Sequence, residues 1–160
     1  MSIFSALKVG QKAPHFKLKG VSSGKEGVWD LSSLKNKWVV LFFYGADFTP
    51  HSQEELTAFQ AKIIDYVALD VQVMGCSVDS ISAHVAWSQA LSGIDYPLLS
   101  DIHHTTSIDY NVFQDEEAQA QNGIFIINPE GVLRFYQIQD SKVKINVEEI
   151  LKTVEVLRAV

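Results

Sequence analysis

Few residues in this 160-residue chain could do chemistry, and the most suggestive run is Thr49-Pro50-His51-Ser52. A threonine followed by proline is a helix start, with Thr49 as the N-cap and Pro50 at the first helical position. Ser52 then falls in the first turn, where the helix dipole favours an anion. A serine nucleophile needs a base within reach. His51 is next to Ser52 in the chain, but neighbouring helix positions do not share a face. On these residues alone, simple helix capping outweighs a hydrolase.

The other candidates are weaker. Cys76 is the one cysteine in the sequence, so no internal disulfide can form and no metal-type cysteine spacing exists. A buried, inert thiol is the favoured reading for it. His103 and His104 are adjacent and point apart, with His15, His51 and His84 distant in sequence, so a solvated loop is preferred to a metal site.

The elements that must position these residues follow from the hydrophobic pattern. Trp38–Tyr44 is a continuous apolar, β-rich run of the kind that is buried on both faces in a parallel sheet. Val71–Val78, Gly123–Ile127 and Val132–Ile138 read as further strands. Asn128-Pro129-Glu130-Gly131 between the last two fits a type I turn, which predicts an antiparallel hairpin. Leu56, Phe59, Ile63 and Tyr66 or Val67 recur at helical spacing, and His84, Val85, Trp87, Ser88 and Leu91 do so more weakly. Val147, Ile150, Leu151, Val154 and Leu157 form a clear helical stripe, with Asn146 and Glu149 placed as a capping box and Glu148–Lys152 as an i,i+4 pair. Gly20–Gly27 is the loosest stretch and reads as a loop. The order strand, helix, strand, helix, hairpin, helix predicts one layered α/β domain over residues 1–160.

Bulk properties narrow the class. The hydrophobic fraction is 47% and the charged fraction 20%, an ordinary globular mixture. The net charge of −6 with scattered basic residues argues against a nucleic-acid partner and gives no attraction to an anionic membrane. Met1–Lys8 is too short and polar for a signal peptide, and no apolar run approaches a membrane span. With a single cysteine, the expected location is the cytoplasm.

Six segments stand out in order: Val9–Phe16 (VGQKAPHF), Trp38–Phe48 (WVVLFFYGADF), Cys76–Trp87 (CSVDSISAHVAW), Tyr96–Asp101 (YPLLSD), Gly123–Leu133 (GIFIINPEGVL) and Asn146–Leu151 (NVEEIL). Taken together they resemble one family, the AhpC/TSA peroxiredoxins. The resemblance implies a thioredoxin-like fold, a central mixed β-sheet flanked by helices, with the site at the start of the helix after WVVLFFY. It also implies thiol-dependent reduction of hydrogen peroxide and organic hydroperoxides without metal or organic cofactor. An external thiol would be the reductant, and the expected assembly is a homodimer.

The family's site pattern is Pro-x-x-x-Thr-x-x-Cys, and the matching stretch here is Gly45–Ser52. Thr49 keeps the threonine. Gly45 stands at the proline position, Ser52 at the attacking cysteine, and Gln53 where the family usually has proline. The family's arginine, just before the GIFII strand, aligns with Asn122. A cysteine starts near pKa ~8.5 and falls further at a helix N-terminus. A serine hydroxyl ionises far less readily and has no reversible sulfenic state. The resemblance therefore implies a family member that is inactive or strongly impaired as a peroxidase. Two alternatives stay open: an active one-cysteine enzyme carrying a Cys-to-Ser change at 52, and a non-catalytic binding or regulatory partner. An apolar patch around Trp29 could serve an interface.

Overall fold

The computed structural model describes residues 7–140 and 143–160. Residues 1–6, most of the segment read above as unlike a signal peptide, lie outside the described residues. The chain opens with β1 (Lys17–Ser22), β2 (Lys25–Asp30) and a turn of 3-10 helix at Leu31–Leu34. β3 (Trp38–Phe43) leads into α1 (Pro50–Ala61) and α2 (Ile63–Ala68). β4 (Val71–Ser77), α3 (Ile81–Ala90), β5 (Leu98–Ser100) and α4 (Thr105–Asp109) follow. Then come two short strands, β6 (Phe113–Gln114) and β7 (Gln119–Ala120), before β8 (Asn122–Ile127), β9 (Leu133–Gln139) and α5 (Val147–Arg158).

Among the described residues, seven strands form one sheet in the order β2-β1-β5-β4-β3-β8-β9. β3, β4 and β5 run parallel. β8 lies antiparallel to β3, and β9 and the β1–β2 hairpin add antiparallel edges. β3 is interior, between β4 and β8, and its alternation explains why the sequence shows an unbroken apolar run. Val40, Phe42 and Tyr44 enter one core with Leu56, Phe59 and Val154. Val39, Leu41 and Phe43 enter the opposite core with Cys76, Tyr110 and Phe125. Phe42 stacks on Phe59 with ring centroids 4.4 Å apart, which seats α1 on the sheet.

The structure corrects three expectations. Gly20–Gly27 is a β-hairpin rather than a loop, turning at Ser23 (φ 49°) and Gly24 (φ 79°). Two successive positive φ values define the type I′ turn that matches strand twist. Gly20 is glycine because a Cβ there would lie 2.5 Å from the Leu98 carbonyl oxygen of β5. The long helical pattern from Leu56 splits at Lys62, and Tyr66 faces the core while Val67 is exposed. The Glu148 carboxylate reaches Lys62 of the neighbouring segment at 3.4 Å, where the sequence pointed to Lys152. The β8–β9 hairpin and the Asn146 cap, whose side chain accepts from the Glu149 N–H, form as expected.

Candidate active site

The parallel strands deliver their carboxyl ends to one edge of the sheet, the usual place for a site in α/β proteins. The turn from β3 into α1 lies there. Thr49 is the N-cap of α1 and Pro50 occupies the first position. The Thr49 hydroxyl accepts from the Ser52 N–H at 3.1 Å and donates toward Ser52 Oγ at 2.9 Å. Ser52 O–H donates to the Thr49 carbonyl at 3.1 Å. The serine proton thus points at a backbone carbonyl, and Ser52 is only 2% exposed. Among the described residues no base holds that proton, so the arrangement is that of a capped helix start.

The turn itself is pinned from behind. Asp47 accepts from Tyr44 O–H at 2.7 Å and meets His84 Nδ1 of α3 at 2.7 Å. His84 is fully buried, and its Nε2 lies 2.9 Å from the Leu99 carbonyl of β5. A carbonyl only accepts, so Nε2 carries a hydrogen, and one proton is shared between Nδ1 and Asp47. The pair is therefore neutral overall. The Asp47 N–H donates to Asp79 at 2.8 Å, and Asp79 also receives Ser77 O–H at 2.7 Å. Phe48 adopts φ 60°, an unfavourable left-handed conformation for a bulky residue, and packs its ring on Trp87 at 4.7 Å.

Asn122 enters from β8. Because β8 pairs antiparallel with β3 and sets Gly123 against Phe43, the first residue of β8 lies beside the end of β3. Its buried amide Nδ2 donates to the Val143 carbonyl at 2.9 Å and contacts His51 Nε2 at 2.8 Å. The first bond fixes the amide's orientation, so Nδ2 donates to His51 as well, and His51 keeps its hydrogen on Nδ1. Asn122 thus reaches the residue beside Ser52 through His51. The sequence holds two arginines, Arg134 and Arg158. Arg134 sits over Trp38, at the far end of β3. Arg158 is in the last turn of α5. Gly45 is faced by Gln119 of β7, and a Cβ at 45 would lie 2.7 Å from the Gln119 amide nitrogen.

Glu55, which sequence reasoning missed, completes the site. It lies three residues after Ser52 on α1 and is buried at 3% exposure. Among the described residues neither of its carboxyl oxygens has a hydrogen-bond partner. His51 Nε2 stands 3.5 Å from Oε2, too far for a hydrogen bond to be strong. Burial, then the negative charge of Glu54, pushes the carboxyl up to about 8. A signal was present: positions 52, 55, 56 and 59 share one helical face, and that face is the buried one. Ser52, Glu55, His51, Thr49, Gly45 and Gln119 line a cavity of about 270 Å³.

Cys76 lies in the core on the other side of the sheet from α1. Burial, then the charge of Asp101, pushes its thiol well above the usual range. This opposes the thiolate that reactivity requires. His104 stacks on Phe113 at 4.5 Å, and no group of metal-ligating side chains occurs among the described residues.

A central mixed sheet with a capped helix starting at the carboxyl end of an interior parallel strand defines a thioredoxin-like α/β protein. Comparison with known proteins narrows this. The AhpC/TSA family model matches residues 9–136. Peroxiredoxin-2 of Bos taurus is 38% identical over 153 residues, covering 92% of this chain and 77% of the relative. AhpC of Enterococcus faecalis superposes with a TM-score of 0.90 at 28% identity, over 94% of this chain and 92% of that one. The reduced 2-Cys peroxiredoxin of Plasmodium vivax gives 0.89 at 31%, over 94% and 96%. The chain belongs to the AhpC/TSA family of peroxiredoxins.

Two predictions follow from the buried polar groups. His84→Leu leaves Asp47 buried without its partner and should cost about 3–5 kcal/mol in urea unfolding. Adding Asp47→Ala to it should cost much less than the sum of the single changes, whereas additive losses would show that the two residues do not act as one unit.

The second concerns pH. Glu55 titrates near 4.5 when unfolded and near 8 when folded, so between these values the native state holds a proton that the unfolded chain has released. Stability contributed by the neutral acid is fully present below the first value and is lost as pH rises to the second. Wild-type stability should therefore fall from pH 5 to 8, by up to about 1.4 kcal/mol per unit from this group. Glu55→Gln should flatten that slope, and parallel profiles for the two proteins would reject the assignment.

Proposed function

We propose that this chain is a peroxiredoxin-family protein without effective peroxidase activity. The observation that carries the reading is the atom at the start of α1: an uncharged hydroxyl, Ser52 Oγ, hydrogen-bonded to Thr49 and facing no guanidinium. Peroxide reduction by this family's chemistry needs a thiolate that becomes a sulfenic acid. The sole cysteine is buried across the sheet and held protonated, so it is a poor substitute. If turnover did occur, the substrates would be hydrogen peroxide or organic hydroperoxides, with an external thiol as reductant.

The surroundings of Ser52 favour natural divergence over a single changed residue. Asn122 is built into bonds with His51 and Val143, and Gln119 fills the space facing Gly45. These adjustments concern positions other than 52.

Within this reading the protein is a cytoplasmic homodimer. The cytoplasm is supported by a composition with one cysteine, and the dimer by the sheet edge at β2, which pairs only with β1 among the described strands. No helix among the described residues is long and apolar enough to cross a membrane. Analytical ultracentrifugation at micromolar concentration should give twice the chain mass, and a monomer would remove the dimer.

The activity is tested by following hydroperoxide loss with dithiothreitol as reductant. The chain with Ser52 should consume no peroxide above background. Ser52→Cys should remain at least ~100-fold below an active peroxiredoxin, because the cation that would stabilise developing charge is still missing. Full family-type turnover in that single variant would overturn the reading.

A further inference from the structure

We propose that the cavity beside Ser52 is a binding site for a small organic cation of the guanidinium class, held in a two-pronged contact by the Glu55 carboxylate. The proposal stands on Glu55 and the cavity, and is independent of whether residue 52 supports turnover. Glu55 is buried, has two oxygens without hydrogen-bond partners among the described residues, and lines a space of about 270 Å³. A buried carboxyl left in that condition is costly. A free planar cation with two parallel N–H donors satisfies both oxygens at once, which a single-point ammonium does not.

The rest of the cavity fits a donor-rich guest. Ser52 and Thr49 supply hydroxyl oxygens and Gln119 an amide. Lys144, a cation that reaches this helix, is engaged by Glu54 at 2.5 Å. His51 cannot act as the counter-ion in the observed arrangement, because its Nε2 accepts from Asn122. His51 has a side chain that is 26% exposed, lies 3.5 Å from Glu55 Oε2 and lines the same cavity. A swing of that ring is the motion that uncovers the carboxyl.

Binding is coupled to one proton, since the guest requires the ionised carboxylate. The titratable groups around Glu55 are His51 and Glu54 on its own helix, Tyr44 at the end of β3 and Tyr96 ahead of β5. Tyr96 and Tyr44 are held neutral by burial throughout the relevant range.

The test is calorimetric titration of the full chain with methylguanidinium chloride, using tetramethylammonium chloride as a cation without N–H donors. Methylguanidinium should bind, with affinity rising roughly tenfold per pH unit between pH 6 and 7.5 as the coupled proton becomes easier to release. Glu55→Gln should abolish binding, and His51→Ala should strengthen it several-fold by opening the carboxyl. Should Glu55→Gln fail to fold, carbon-13 NMR of the wild-type glutamate carboxyls serves instead: one buried resonance should titrate at lower pH when methylguanidinium is present. Equal binding of tetramethylammonium, binding that survives Glu55→Gln, or a carboxyl titration that methylguanidinium does not move would overturn the proposal.

Discussion

The turn between β3 and α1 has to be held in a shape it would not choose, and the buried Asp47–His84 contact is what holds it. Phe48 sits in the left-handed region, where a bulky side chain costs on the order of 1–3 kcal/mol. Asp47 is tied through its carboxylate to Tyr44 and His84 and through its N–H to Asp79. Thr49, two residues on, is committed to the helix cap. With both flanks fixed, Phe48 has no relaxed alternative, and Ser52 is placed on the cavity wall. The imidazole spans from Asp47 to the Leu99 carbonyl, so it also joins the ends of β3 and β5 across β4. Framework and site are thus one hydrogen-bonded structure, built from residues that do not themselves line up as a motif.

Much of the fold was legible because burial on two faces leaves a plain trace. Trp38–Tyr44 is apolar without interruption since odd and even positions both enter a core. The stripe of α5 and the Asn128–Gly131 turn were legible for equally local reasons. The β1–β2 hairpin was not, because Lys17, Lys19, Lys25 and Glu26 face solvent and its glycines imitate a loop. β5 has three residues, too few for any period to show. The helix break at Lys62 follows from packing, and nothing in the neighbouring residue types announces it.

The site was legible only where chain neighbours make it. Thr49, Pro50 and Ser52 define a cap within four residues, and the structure forms that cap. Asn122 could be aligned, but its contact with His51 depends on the antiparallel register of β8 against β3. The Asp47–His84 pair spans 37 residues and needs α3 to cross the sheet at the right height. Glu55 is the instructive omission. An acid in a helix reads as solvated surface unless its place on the apolar stripe is counted, and here the stripe is the stronger indicator.

These placements set opposing electrostatic demands on adjacent turns of α1. The helix start favours negative charge at residue 52, through the dipole and the Thr49 hydroxyl. One turn further on, burial and Glu54 disfavour negative charge at Glu55 so strongly that the carboxyl stays protonated at neutral pH. A thiolate introduced at 52 would share a face and a cavity with that acid. It would oppose ionisation of Glu55, and an ionised Glu55 would oppose it in turn, since two like charges in a poorly solvated space raise each other's cost. A guanidinium between them would settle both demands, and each arginine of this chain is placed elsewhere, Arg134 over Trp38 and Arg158 in the last turn of α5. Within the reading proposed above, sulfur at position 52 is necessary for the family's chemistry and insufficient for it, because a cation is also needed for the cavity to hold a reactive anion.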